Sequence, residues 1–298
     1  MIYERGQSRS RFGTRLFEFT DKIVEEAEAR AETGDLKQVL PILRKLSMED
    51  FGLLLIGMPD ATLPNLSRIL PRMASNETQE TWTGHYGEGL LIQTVGFARQ
   101  VESASLRYRR QPLQKAKILD FGVGYGRNVR SMMYFTDPEN IFGVDAWAHS
   151  LDLAKSDGIL CHLLASDPSP EKLPIEDESI DVAIAFSVFT HISPKSANAS
   201  LEAIRRSLKP GGIAILTIRP VEYWTVGGQK FRASEAEKLI DEHYRNEIAF
   251  TPHDYSADAQ YGDTTIDPKF FVRPGWEICG YDTTLFDPYQ ISIILRRA

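Results

Sequence analysis

The sequence predicts an α/β fold, a doubly wound and mostly parallel sheet behind a helical N-terminal extension. Three observations predict it. From Lys117 onward, short apolar runs alternate with helical stretches. Those runs are apolar throughout rather than alternating in polarity, as strands covered on both faces are. Strand signals are nearly absent before residue 112. The expected division is a helical extension or cap over residues 1–112 and an α/β domain over 113–298, joined near RYRRQPLQKAK.

In the extension, LFEFTDKIVEEAEARAETG carries apolar residues at helical spacing and stops at Gly34. SMEDFGLLLIGMP opens with Ser47 and Asp50 in a capping-box-like arrangement and ends before Pro59. GHYGEGLLIQTVGFARQVESASLRY predicts one long amphipathic helix. Beyond the joint, the expected strands are KILDF, IFGVD, ILCHLLA, SIDVAIAF and GIAILTIR, with helices RNVRSMMYF, AHSLDLAKS and SANASLEAIRRSLK between them. WEICGYDTT and QISIILRRA follow, separated only by LFDPY. So short a link cannot hold a parallel crossover, so these two form an antiparallel hairpin at the end of the sheet.

Composition narrows the function. The 298-residue chain is 42% hydrophobic and 25% charged. No apolar run approaches the roughly 20 residues of a membrane span, and the start lacks a secretory core, which predicts a cytoplasmic protein with no membrane partner. Cys161 and Cys279 lack metal-like spacing and lie in strand-like runs, so buried free thiols are expected, and no metal. A net charge of −7 gives no general attraction to nucleic acid, so a small-molecule partner is expected and nucleic acid is disfavoured.

The chemistry begins at KILDFGVGYGRNVRSM, where Gly122, Gly124 and Gly126 alternate after an apolar strand. Glycine permits positive φ and lets a ligand lie against bare main chain. A dinucleotide loop reads G-x-G-x-x-G, but here Asn128 stands where the third glycine would fall. A ligand without a diphosphate makes no such demand. Asp145 ends the second strand about 20 residues beyond the loop, where an acid accepts hydrogen bonds from ribose hydroxyls. A ribose is implied, without separating NAD from other nucleosides.

LPIEDESIDVAIAFSVFTHIS and IRRSLKPGGIAILTIRP then follow in an order and spacing that resembles the class I S-adenosylmethionine-dependent methyltransferases over about residues 115–219. The resemblance implies a Rossmann-like seven-stranded sheet with an antiparallel last strand, S-adenosyl-L-methionine as cofactor, and methyl transfer. It also implies that the backbone of Gly122, Gly124 and Gly126 meets the cofactor's amino-acid part and that Asp120 faces its amino group. Asp145 would bind the ribose, Ala146 and Trp147 would border the adenine, and Asp167 would accept from the adenine amino group. Phe186 and Ser187 would meet the methionine end.

Methyl transfer from a sulfonium is an in-line displacement, so the protein aligns the acceptor and excludes water. A hydroxyl or amine acceptor must also lose a proton, which a His, Asp or Glu can take. Two regions read as the acceptor pocket. One is residues 75–91, with Trp82, His85 and Tyr86; the other is a long insertion, residues 250–276, with Tyr255 and Tyr261. His253 and Asp254 are the first candidates for the base and His191 and His85 the next, the competing readings being that His253 and His191 each brace their own loop. The acceptor expected is an oxygen or nitrogen of a small molecule, with saccharides preferred. The alternatives are RNA or protein, with RYRRQPLQKAK as a phosphate track, or a cofactor-binding protein of the same fold without turnover.

Overall fold

A computed structural model describes residues 18–226, 231–254, 259–284 and 286–298. Ahead of the first strand it shows α1 (Glu18–Ala31), α2 (Leu36–Leu43), α3 (Met48–Ile56), α4 (Pro64–Ile69), α5 (Asn76–Thr83) and α6 (Gly87–Ala104). Ser47 caps α3 by accepting from the Asp50 amide. The long helix expected from residue 84 starts at Gly87, because Gly84 takes a left-handed conformation that ends α5. At its far end α6 passes into a π-helical turn, Ser105–Arg109.

The remaining elements are β1 (Ile118–Phe121), α7 (Arg127–Met132), β2 (Ile141–Asp145), α8 (Ala148–Ser156), β3 (His162–Ala165), β4 (Ile180–Ala185), α9 (Pro194–Ser207), β5 (Leu208–Ile218), α10 (Ala233–Asn246), β6 (Ile248–Pro252), β7 (Gly262–Ile266), β8 (Trp276–Asp282) and β9 (Ile291–Arg297). Seven strands form one sheet in the order β3-β2-β1-β4-β5-β9-β8. β4 runs parallel to β1 and β5, while β9 is antiparallel to both β5 and β8. The expected terminal hairpin is therefore present.

Position in the sheet decides burial. β1 is buried throughout and β4 nearly so, whereas the edge strands β3 and β8 are only partly covered. This corrects the expectation for the cysteines: Cys161, just before β3, and Cys279, in β8, are free thiols but only partly buried. An apolar run on a sheet edge has a neighbour on one side alone.

The segment expected to be a long insertion holds a second, two-stranded antiparallel sheet, β6 with β7. GDTTI hides its strand character because its threonines and aspartate are polar, yet all five β7 residues are buried. Their polar groups are satisfied locally. Thr264 Oγ1 donates to the Ile192 carbonyl, and Thr265 Oγ1 accepts from Trp224 Nε1. On its other edge β7 is stitched to the loop after β4, since the Gly262 amide donates to the His191 carbonyl and the Thr264 amide to the Thr190 carbonyl. A Cβ on Gly262 would lie 2.0 Å from the Thr251 carbonyl oxygen, so only glycine allows this approach.

Chain contacts define two compact units. One comprises the chain to Arg99 with Val123–Ile141 and His149–His162, and the other comprises Gln100–Gly122, Phe142–Ala148 and Leu163–Ala298. The first is helical, with a core that includes Leu40, Leu43, Phe51, Leu54 and Phe97. The second holds nearly all of the sheet, with a core around Leu119, Ile180, Ile204, Leu216 and Phe271. Burying each such side chain stabilises by about 1.5–3 kcal/mol. No helix among the described residues is long and apolar enough to cross a membrane.

Candidate active site

After β1 the backbone takes positive φ at Gly122, Gly124 and Gly126. At Gly122 and Gly126 an added Cβ would strike Val188 and Ile159, respectively. At Gly124 it would meet nothing within 4 Å, so that side of the loop faces open space. That is the cradle a ligand lying on backbone needs. Asp120, at the end of β1, is fully buried. Within the helical unit, Trp82 on α5 packs on Tyr125, the residue between the second and third glycines, with ring centroids 5.8 Å apart. His85 and Tyr86 lie exposed beyond α5.

In the sheet unit, Asp145 ends β2 and its Oδ1 accepts from the Trp147 amide at 2.9 Å. The acid thus fixes the turn that carries Ala146 and Trp147. Trp147 is 55% exposed, which makes it a surface ring and not a core one. Asp167 is exposed beyond β3, in an open depression also lined by Ser166, Leu173 and Ile175. Phe186 is buried, and Ser187 next to it has φ +61°, a conformation that non-glycine residues adopt at some cost. It is held there by its amide donating to Thr217 Oγ1 at 2.7 Å and by Gln290 Nε2 donating to its hydroxyl at 3.0 Å. Ser187 follows β4, the strand paired with β1, where the strand order reverses. Open α/β sheets bind ligands at the carboxyl ends of strands at such a point.

Sequence reasoning missed a network centred on Asp263, on β7. Its Oδ1 accepts from Arg219 at 2.6 Å and from the Tyr223 hydroxyl at 2.9 Å, and its Oδ2 accepts from His253 Nε2 at 3.2 Å. Burial alone would raise the Asp263 carboxyl, but Arg219 and the hydrogen bonds from His253 and Tyr223 hold it below the ordinary carboxylate value. Desolvation pushes the Tyr223 hydroxyl up to about 12 against the opposing pull of Arg219. Its histidines stood out in the sequence, but its centre left only an arginine closing an apolar strand and an acid beside a glycine in an apparent loop.

His191 belongs to the same network. Arg219 donates to its Nε2 at 3.1 Å, so the ring proton is assigned to Nδ1, which donates to the Gly262 carbonyl at 2.7 Å. Burial, then the charge of Arg219, drives its pKa down to about 4. His191 is a neutral brace with both nitrogens engaged. His253 differs, because Asp263 holds its Nε2 while the side chain is half exposed. Tyr261 stacks on His191 (5.1 Å, 12° between planes) and meets His253 edge-on at 5.4 Å. Asp145 lies within electrostatic reach of the Tyr261 hydroxyl, whose pKa is raised first by desolvation. Asp254 is exposed beside His253, and Tyr255 lies outside the described residues.

Among the described residues, His191, His253 and Asp263 have metal-like spacing, with ligand atoms all within 4.8 Å of one another. Arg219 already bonds both Asp263 and His191, so a guanidinium supplies the positive charge that an ion would bring. The donor set suits a hydrogen-bonded network.

Residues 119–216 match the family described as "Methyltransferase domain". Among curated proteins, the chain is 31% identical to the tRNA N(3)-cytidine methyltransferase METTL2 of Danio rerio over 34% of this chain and 31% of that one. It is 26% identical to O-methyltransferase 3 of Dictyostelium discoideum over 44% of this chain and 31% of that one. It is 24% identical to the METTL2 of Xenopus tropicalis over 71% of this chain and 67% of that one. The chain thus spans about a third of the length of the first two relatives. These relatives overturn one expectation: a small-molecule acceptor, with nucleic acid disfavoured, does not stand beside relatives named as tRNA methyltransferases. Net charge misled because it averages over a surface on which local cations decide nucleic-acid binding. With the strand order, the open side of the loop at Gly124 and the family match in agreement, residues 119–216 form a methyltransferase domain of the class I, S-adenosylmethionine-dependent kind.

Proposed function

We propose that this protein transfers a methyl group from S-adenosylmethionine to a nitrogen of an RNA base. The observation that carries the reading is the recurrence of tRNA N(3)-cytidine methyltransferases among its curated relatives. When bound, the cofactor supplies an electrophilic methyl group on a sulfonium. The backbone at Gly122, Gly124 and Gly126 would hold its amino-acid part, with Asp120 at the amino group. Asp145 would take the ribose, Ala146, Trp147 and Asp167 the adenine, and Phe186 with Ser187 the methionine end.

A ring nitrogen with a free lone pair needs no base, so the work left to the chain is orientation and exclusion of water. An acceptor that carries a proton would need one, and His253, aligned by Asp263, is the candidate. In the basic stretch near the joint, Arg109 is engaged by Asp181. Arg107, Arg110 and Lys115 are exposed and would be the cations to meet phosphates.

The test is incubation of the protein with methyl-tritiated S-adenosylmethionine and unfractionated tRNA, followed by digestion to nucleosides. Label in a base-methylated nucleoside is expected. Tight S-adenosylhomocysteine binding with no label entering RNA would point instead to a protein that keeps the cofactor site without this activity.

A further inference from the structure

We propose that the exposed face of Tyr261 is the platform on which the acceptor base stacks, with His253 meeting the edge of that base. The inference rests on the RNA reading above and assigns its acceptor site. Tyr261 is 59% exposed although one face of its ring is covered by the nearly parallel ring of His191, so the exposure belongs to the other face and the rim.

The platform is rigid before anything binds. The Tyr261 carbonyl accepts from the His253 amide, and the residues beside it are pinned by Ser193 donating to the Gln260 carbonyl and by Gly262 donating to the His191 carbonyl. His191, beneath the ring, is fixed at both nitrogens. A flat ligand therefore stacks on Tyr261 without ordering it first, which avoids a cost that binding otherwise carries. A nucleobase suits this geometry because every base has a π-face for the tyrosine and polar edge atoms for a histidine. His253 stands edge-on to Tyr261, with Nε2 secured by Asp263. Arg219, Asp263 and His191 are positioning residues that act through this pair.

Steady-state methyl transfer to unfractionated tRNA, with calorimetric S-adenosylhomocysteine affinity as a parallel readout, tests the assignment in Tyr261→Phe, Tyr261→Leu, Tyr261→Ala and His253→Gln. Loss of the ring in the Ala and Leu variants is expected to raise KM for tRNA about five- to fiftyfold, while Tyr261→Phe stays within about twofold of the unaltered protein. His253→Gln is expected to raise KM about fivefold. Cofactor affinity should not change in any variant. Unchanged KM in both Ala and Leu variants overturns the proposal, as does a matching loss of S-adenosylhomocysteine affinity, which would assign the ring to the cofactor. If the unaltered protein methylates no tRNA, the RNA reading itself fails and this one falls with it. Transfer that persists undiminished without the ring defeats only the platform.

Discussion

The glycine loop after β1 is built from backbone, whereas the β6–β7 hairpin is built from side chains. In the loop, three residues within five positions set the geometry through positive φ, and Asp145 ends the following strand. In the hairpin, Asp263 is fixed by Arg219 after β5, Tyr223 in the turn beyond it, and His253 across the ladder. A site made of main chain leaves a compact sequence trace, because special φ values demand special residues next to one another. A site made of side chains gathers from distant segments, each ordinary where it stands.

The largest expected effect falls on the hairpin. Asp263→Ala strands the buried Arg219 guanidinium and should cost about 3–5 kcal/mol of unfolding free energy in urea titrations. A loss below about 1 kcal/mol would show that the network is not structural.

Next in size is a pH effect. Folding depresses the His191 pKa to about 4 from 6.5, so the unfolded chain binds the extra proton between those values. The stabilising contribution is complete above pH 6.5 and is lost as pH falls toward 4. Between pH 7 and 4.5 this amounts to about 2–3 kcal/mol. His191→Gln should remove most of that slope in the same titrations, and an unchanged slope would assign it to other groups.

On the cofactor side, Asp145→Ala should weaken S-adenosylhomocysteine binding tenfold or more, about 1–3 kcal/mol, by removing the proposed partner of the ribose hydroxyls. Asp145→Asn keeps an oxygen for the Trp147 amide and so separates ribose binding from turn formation. Equal affinity in the Ala variant and the unaltered protein would refute the ribose assignment. The smallest effect is Gly124→Ala, expected to cost roughly 1–2 kcal/mol of stability because of its positive φ. Its added methyl enters the open side of the loop, so a variant that folds well yet binds cofactor unimpaired would show that nothing rests there.

The same contrast explains what the sequence revealed. The central strands, the terminal hairpin and the glycine loop were legible because parallel-sheet strands are apolar throughout and glycines needed for positive φ stand close together. β7 was not, since Thr264 and Thr265 are buried by hydrogen bonds that composition does not reveal. His191 read as a possible base because its neighbour Arg219 lies 28 residues away. The cysteines read as buried because a run of residues does not announce that its strand lies on an edge. Trp147 could have been core or surface, and only the fold places it at the surface.

Calorimetric titration of S-adenosylhomocysteine into the full chain tests the central claim most directly. Saturable heat at one equivalent, with none from nicotinamide dinucleotide, is the expected result. Heat from the dinucleotide and none from S-adenosylmethionine or S-adenosylhomocysteine would contradict it.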